Sequence, residues 1–185
     1  MNGRDGRLST PHTLVLLLAA LVAVLAVAGA GLWWVRTPAT VAVHLQGEPM
    51  TDAQAAGQVL GSAKQIVGAA ALRDATGGYT FASCNDESEP PYQAVLYLNF
   101  LLPQSNSITY LNDVAAAMAA HGWSPAATLG EHFGQKLTKD GVMAIFYRND
   151  DTPGFATMRL YGECRNPRDH RSDNPVWTEV TGQLG

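Results

Sequence analysis

Leu14 to Trp34 (LVLLLAALVAVLAVAGAGLWW) is a run of 21 positions without a charged residue, and no other segment limits the architecture as strongly. At 1.5 Å per residue, a helix of that length crosses a hydrocarbon core of about 30 Å. The chain from Arg36 onward is polar enough to fold in water. The run therefore predicts a short cytoplasmic N-terminus over 1–12, a transmembrane signal-anchor helix over 13–35, and a folded domain beyond it. Arg4 and Arg7 precede the run, accompanied by Asp5, and Arg36 stands alone after it. That asymmetry favours the N-terminus inside and the C-terminal domain outside a single-pass plasma-membrane protein. Ala28-Gly29-Ala30 has the small-residue spacing of a cleavage site. The apolar run continues past it, however, into Trp33 and Trp34, a pair suited to the outer membrane interface. No cysteine follows the run to take a lipid, so a lipid anchor is not expected. No second apolar run exceeds about ten residues, which excludes a multi-pass protein.

From Thr37 the chain carries nine Lys/Arg against fifteen Asp/Glu, a net charge of −6. Such a domain has no electrostatic footprint for nucleic acid, and anionic head groups would repel it. Residues 36–49 read as a stalk or an edge strand, with a β-like stretch over Thr40 to Leu45. Thr51 and Gln54 then form a capping box. Val59, Ala63, Ile66, Val67 and Ala70 recur behind it at helical spacing. Tyr79 to Cys84 reads as a strand, Asn85 to Pro91 as a loop, and the alternating Ala94 to Leu102 as a central strand. A second helix runs from a cap at Ser105 or Asn106 to about Ala120, with Gly122 where a left-handed C-terminal glycine belongs.

Gly134 to Thr138 and Val142 to Arg148, joined by Lys139-Asp140-Gly141, carry the signal of a tight hairpin. Asn149 to Gly154 turns into a last strand, Phe155 to Glu163. This order predicts an α+β fold over 50–164: a two-layer sandwich of a mostly antiparallel sheet with two helices on one face. The arm over 165–185 opens with a polar stretch, Arg165 to Pro175, whose composition reads as mobile. Val176 to Leu184 would dock through Trp177 as a strand or turn.

Cys84 and Cys164 are the two cysteines, in neither a C-x-x-C pair nor a metal-ligand spacing, so zinc is not expected. Both fall at predicted strand ends. A bridge there would close a loop of about 80 residues and stabilise by roughly 4 kcal/mol on the chain-entropy account.

The run Tyr79-Thr80-Phe81-Ala82-Ser83-Cys84, the nearby Pro90-Pro91-Tyr92-Gln93, the strand Phe146-Tyr147-Arg148 and the ending Met158-Arg159-Leu160-Tyr161-Gly162-Glu163-Cys164 carry a resemblance. Over about 50–184 the chain resembles small exported envelope proteins of mycobacteria and related actinobacteria, held by a lipid or a transmembrane anchor and mostly of unassigned function. The lipid-anchored relatives have a lipobox cysteine that this sequence lacks. The resemblance implies a cell-envelope location and a paired Cys84–Cys164, and it supplies no catalytic residues.

Candidate chemistry is sparse. Asp86, Ser88 and Glu89 could offer oxygen ligands to a hard cation, but the loop lacks a D-x-D-x-D-G order and reads as solvated acid. His132 follows Glu131 and His170 follows Asp169. Either could orient a histidine for an envelope hydrolase, yet no G-x-S-x-G or H-E-x-x-H accompanies them. His121 suits a helix C-terminus. Gly77-Gly78 precedes a strand and not a helix, which argues against nucleotide binding. No cofactor, metal or catalytic residue is expected. The usable features are aromatic: Tyr92, Trp123, Phe133 and Trp177 as loop side chains for protein or glycan contact. The sequence thus predicts a membrane-anchored binding or accessory domain of the cell envelope, with the membrane and an envelope protein or component as partners. A histidine/carboxylate hydrolase and a purely structural subunit are the alternatives.

Overall fold

A computed structural model describes residues 47–85, 88–126 and 134–185. The expected membrane span and the Thr40 to Leu45 stretch lie outside these residues. Among the described residues, no helix is long and apolar enough to cross a membrane.

Helix α1 spans Asp52–Ala69 and opens with the expected capping box: Gln54 N–H donates to the Thr51 hydroxyl, and the Gln54 side chain accepts from Thr51 N–H at 2.8 Å. Strands β1 (Thr76–Ser83) and β2 (Tyr92–Leu101) follow, then helix α2 (Ser107–Ala120). Asn106 occupies the position before α2 but makes no side-chain cap bond. Its backbone is left-handed (φ 60°), whereas a capping side chain reaches the helix N–H groups from an extended backbone.

Strands β3 (Ser124–Pro125), β4 (Gln135–Lys139), β5 (Val142–Arg148), β6 (Phe155–Tyr161) and β7 (Thr178–Glu179) complete one antiparallel sheet in the order β3-β4-β5-β6-β2-β1-β7. Asp140 and Gly141, both at positive φ (48° and 79°), form the two-residue turn between β4 and β5. Such a turn matches the twist of the flanking strands.

Register assigns each side chain to a face. Leu96, Leu98 and Phe100 of β2 stand opposite Leu160, Met158 and Ala156 of β6. The same row continues through Ala144 and Phe146 of β5 to Leu137 of β4. On this face α1 contributes Ala55, Val59, Ala63 and Ile66, and α2 contributes Val114 and Met118, to a single buried core. Both helices cover this face, which makes the two-layer α+β sandwich. The alanine stripe of α1 lets that helix lie close to the sheet, where Gly162 closes against Val59.

The arm departs from its sequence reading. Arg165 to Pro175 is polar enough to read as mobile, but Asn166 and His170 are buried. Tyr92 and Asn166 exchange backbone hydrogen bonds (2.8 and 3.0 Å), which extends the sheet beyond β6. Asn166 and His170 are bonded to each other and to the carboxylates of Asp52 and Asp173, so composition misleads there. Beyond the clasp, β7 pairs with β1, and Val180 and Leu184 are buried against the core. The compact unit accordingly takes in the arm to Gly185.

Candidate functional site

Cys84 and Cys164 form a disulfide with a Cα–Cα distance of 6.0 Å across 80 residues of chain. The bridge joins the end of β1 to the segment just after β6, beside the entry of the chain. There Met50 N–H donates to Arg165 O at 2.8 Å, and Arg165 Nε donates to Glu48 O at 2.7 Å.

The four aromatic residues expected at binding loops separate. Trp123 is 3% exposed and belongs to the core, its indole N–H directed to Gln65 Oε1 at 3.3 Å. Tyr92 is equally buried at 3%, and its hydroxyl donates to Ser88 O at 2.5 Å. Both are therefore packing residues, a correction to their reading as exposed loop aromatics. Phe133 lies outside the described residues, as do His132, Glu131, Asp86 and Glu87. Trp177 is 42% exposed and lies on the sheet face that carries no helix.

His170 has only 1% of its side chain exposed. Its ring stacks on Phe81 (centroids 3.9 Å) and meets Tyr92 edge-on (5.0 Å). Nδ1 donates to Asp173 Oδ2 at 2.6 Å, and Nε2 accepts from Asn166 Nδ2 at 3.0 Å. Asn166 Nδ2 also donates to Asp52 Oδ1 at 2.8 Å, and Asn166 Oδ1 accepts from Arg168 N–H. Arg168 pairs with Asp52. A base needs a free nitrogen facing a nucleophile, and here the second nitrogen faces an amide and, at 3.4 Å, the Asp52 carboxylate. The expected neighbour, Asp169, instead binds Arg171 at 2.6 Å. This cluster is a clasp between the arm and the start of α1. An open depression of about 470 Å³ beside it is lined by Pro49, Met50, Asp52, Pro167 and Arg168, and its polar groups are those of the clasp.

The helix-free face of the sheet differs in kind. Lys136, Ile145, Arg159, Tyr97 and Gly78 form one row across five strands, from β4 to β1. Tyr147, Tyr161 and Met143 flank that row. Arg159, on the central strand, lies over Tyr97 (5.3 Å) and Tyr147 (6.0 Å). The Tyr161 hydroxyl, more than any other group, holds the Arg159 guanidinium above its ordinary pKa, and Tyr147 and Tyr97 add to this against the effect of burial. Gly78 leaves room for the Trp177 ring: a Cβ there would come within 2.4 Å of Trp177 Cε2. The indole tilts against Tyr97 at 5.8 Å. Beside the row, Asn149, Thr157 and Asn99 are joined by hydrogen bonds of 3.1 and 2.8 Å. Half-buried tyrosines around a guanidinium form a platform for flat contact. Alternation in β2, β5 and β6 places these residues on one face, but a sequence reading that looks for aromatics in loops passes over them.

The fold and its faces define a disulfide-closed α+β sandwich in which, among the described residues, no helix covers the second, aromatic sheet face. A family model described as "Putative lipoprotein LppJ" matches residues 51–183. Proteins of that name from Mycobacterium tuberculosis (strains CDC 1551 and H37Rv) and Mycobacterium bovis are 44% identical over 137 residues, covering 74% of this chain and 72% of theirs. The chain belongs to the LppJ family. No solved structure matches it. The match begins at the cap of α1 and reaches the last turn of the arm, the same extent as the sandwich with its clasp.

Proposed function

We propose that the chain is a membrane-held accessory domain of the cell envelope that binds through the open sheet face around Arg159. The observation that carries this reading is the row Arg159–Tyr97–Trp177 with Tyr147 and Tyr161 beside it, on a face that neither helix covers. Tyrosine, tryptophan and arginine are the residue types that dominate binding energy at protein contacts. Such a surface works by recognition and not by catalysis. A hydrolase built on His170 has less support, because both nitrogens of the ring are engaged within the clasp.

The relatives' name speaks for membrane attachment and an extracytoplasmic setting. In this chain both cysteines are engaged in the disulfide, and none precedes residue 84. The apolar run over 13–35 is therefore proposed as a single-pass peptide anchor that takes the place of a lipid. A Cys84→Ser, Cys164→Ser double variant has no sulfhydryl to lipidate and should stay in the membrane fraction after alkaline washing. Its release into the wash would argue for a thioether lipid.

The binding role is tested by purifying the full-length protein from gently solubilised native membranes beside a Tyr97→Ala, Tyr147→Ala, Trp177→Ala variant. A stoichiometric companion should accompany the wild type and fall at least tenfold in the variant. Equal retention by both would remove the open face from the reading.

A further inference from the structure

Resting on the open-face reading, we infer that the occupant of this face is a partner protein that presents an aspartate or glutamate side chain to Arg159 from otherwise apolar surroundings. The three arginines of the arm are all ion-paired within the chain: Arg165 with Glu163, Arg168 with Asp52, and Arg171 with Asp169. Arg159 is more enclosed than Arg168 or Arg171, yet among the described residues no carboxylate lies within ion-pair distance of it. Its Nε is buried without a hydrogen-bond partner, and its charge is met by aromatic faces and the neutral Tyr161 hydroxyl. A guanidinium is a rigid fork that matches a carboxylate through two parallel hydrogen bonds, and such pairs strengthen where water is excluded.

The surroundings favour a protein over other carriers of the same charge. The face is a sheet and not a cleft, whereas small ligands occupy concave sites. Met143, Ile145 and three tyrosines around one arginine have the composition of a protein contact with a central anchor and an apolar collar. A second copy of this chain is a poor occupant. Pairing face to face would oppose two guanidiniums across the axis, and each domain carries a net charge of −6 from Thr37 onward. The same overall charge repels acidic partners in general. Recognition must then come from the local match at Arg159, where Lys136 adds a second positive charge in the same row.

The test places a photoreactive benzoylphenylalanine at Tyr147 of the full-length protein in native membranes, with the same group at the exposed Lys64 as control. A discrete protein adduct is expected from Tyr147 and not from Lys64, its crosslinked peptide carrying an Asp or Glu. Arg159→Glu should lower the adduct roughly tenfold or more, and reversing the partner's acidic residue to arginine should restore it. Arg159→Gln, which removes the charge without reversing it, serves if Arg159→Glu fails to form its disulfide. Arg159→Lys should retain a partial yield. An adduct indifferent to charge at 159 overturns the carboxylate inference while leaving the open-face reading intact. A glycan or lipid adduct overturns the protein partner. Absence of any adduct from Tyr147 overturns the inference. If the triple variant also keeps its companion, the open-face reading falls with it.

Discussion

Asn166 shows how much of the arm depends on one amide. Its Nδ2 supplies both hydrogens, one to Asp52 and one to His170, and its Oδ1 takes the Arg168 N–H. Asn166→Ala would leave these buried partners without it, so a loss of roughly 1–3 kcal/mol is expected in denaturant unfolding. The carboxylates of the clasp make the arm sensitive to acid. Burial of Asp52 works to raise its pKa, but hydrogen bonds from Asn166 and Arg168 and the Arg168 charge work against it, leaving the value below the ordinary 3.8. Asp169 is lowered to about 2 by hydrogen bonds from the Arg171 side chain and backbone. A depressed carboxylate stabilises fully above its unfolded pKa and loses that contribution as pH falls through the folded one. The arm should therefore loosen between about pH 4 and pH 2, seen as faster amide exchange around Tyr92 and Asn166. In Asn166→Ala this loosening should begin at higher pH.

Among the elements, β5 and β6 carry the greatest load, because each presents core side chains on one face and platform side chains on the other. Phe146, fully buried between sheet and helices, stands opposite Met158. Phe146→Ala should cost roughly 3–5 kcal/mol, measured by chemical denaturation, since the cavity cannot close in a sheet with both neighbours paired. At the other edge, Gly78→Ala would bring a methyl within 2.4 Å of the indole and 2.6 Å of Thr178 O. This substitution should free Trp177 from the face, exposing its fluorescence to quencher, while the core unfolds at a nearly unchanged midpoint. An unchanged quenching profile would contradict the seat assigned to Trp177. Helix and hairpin positions follow from local signals: the Thr51–Gln54 box, the Asp140-Gly141 turn and the alternation in β2 each depend on neighbouring residues. The short β3 and β7 depend on distant ones, so two-residue strands at either edge carry little local signal. Asn106 stands where a cap was expected, but its left-handed backbone withholds the bond.

For the molecule as a whole, the disulfide joins the ends of β1 and β6 on either side of the start of β2, and its loop of 80 residues encloses most of the sheet. Reduction, or a Cys84→Ser, Cys164→Ser exchange, should lower stability by about 4 kcal/mol on the chain-entropy account, measured as a shift in the unfolding midpoint. By itself the sequence determined the fold class, both helices, the main strands and the oxidised pairing of two cysteines. Each of these rests on periodicity, caps and turns that act over a few residues, or on there being just two cysteines to join. Only the tertiary structure decided which aromatics are available. Tyr92 and Trp123 were covered by segments far away in sequence, while Tyr97 and Tyr147, unremarkable within their strands, were brought beside Arg159 by the β5-β6-β2 register. It likewise turned the polar arm into a buried clasp, because the partners of Asn166 and His170 come from residues 52, 81 and 92. Burial and pairing at such separations depend on how the layers meet, and no local pattern encodes that meeting.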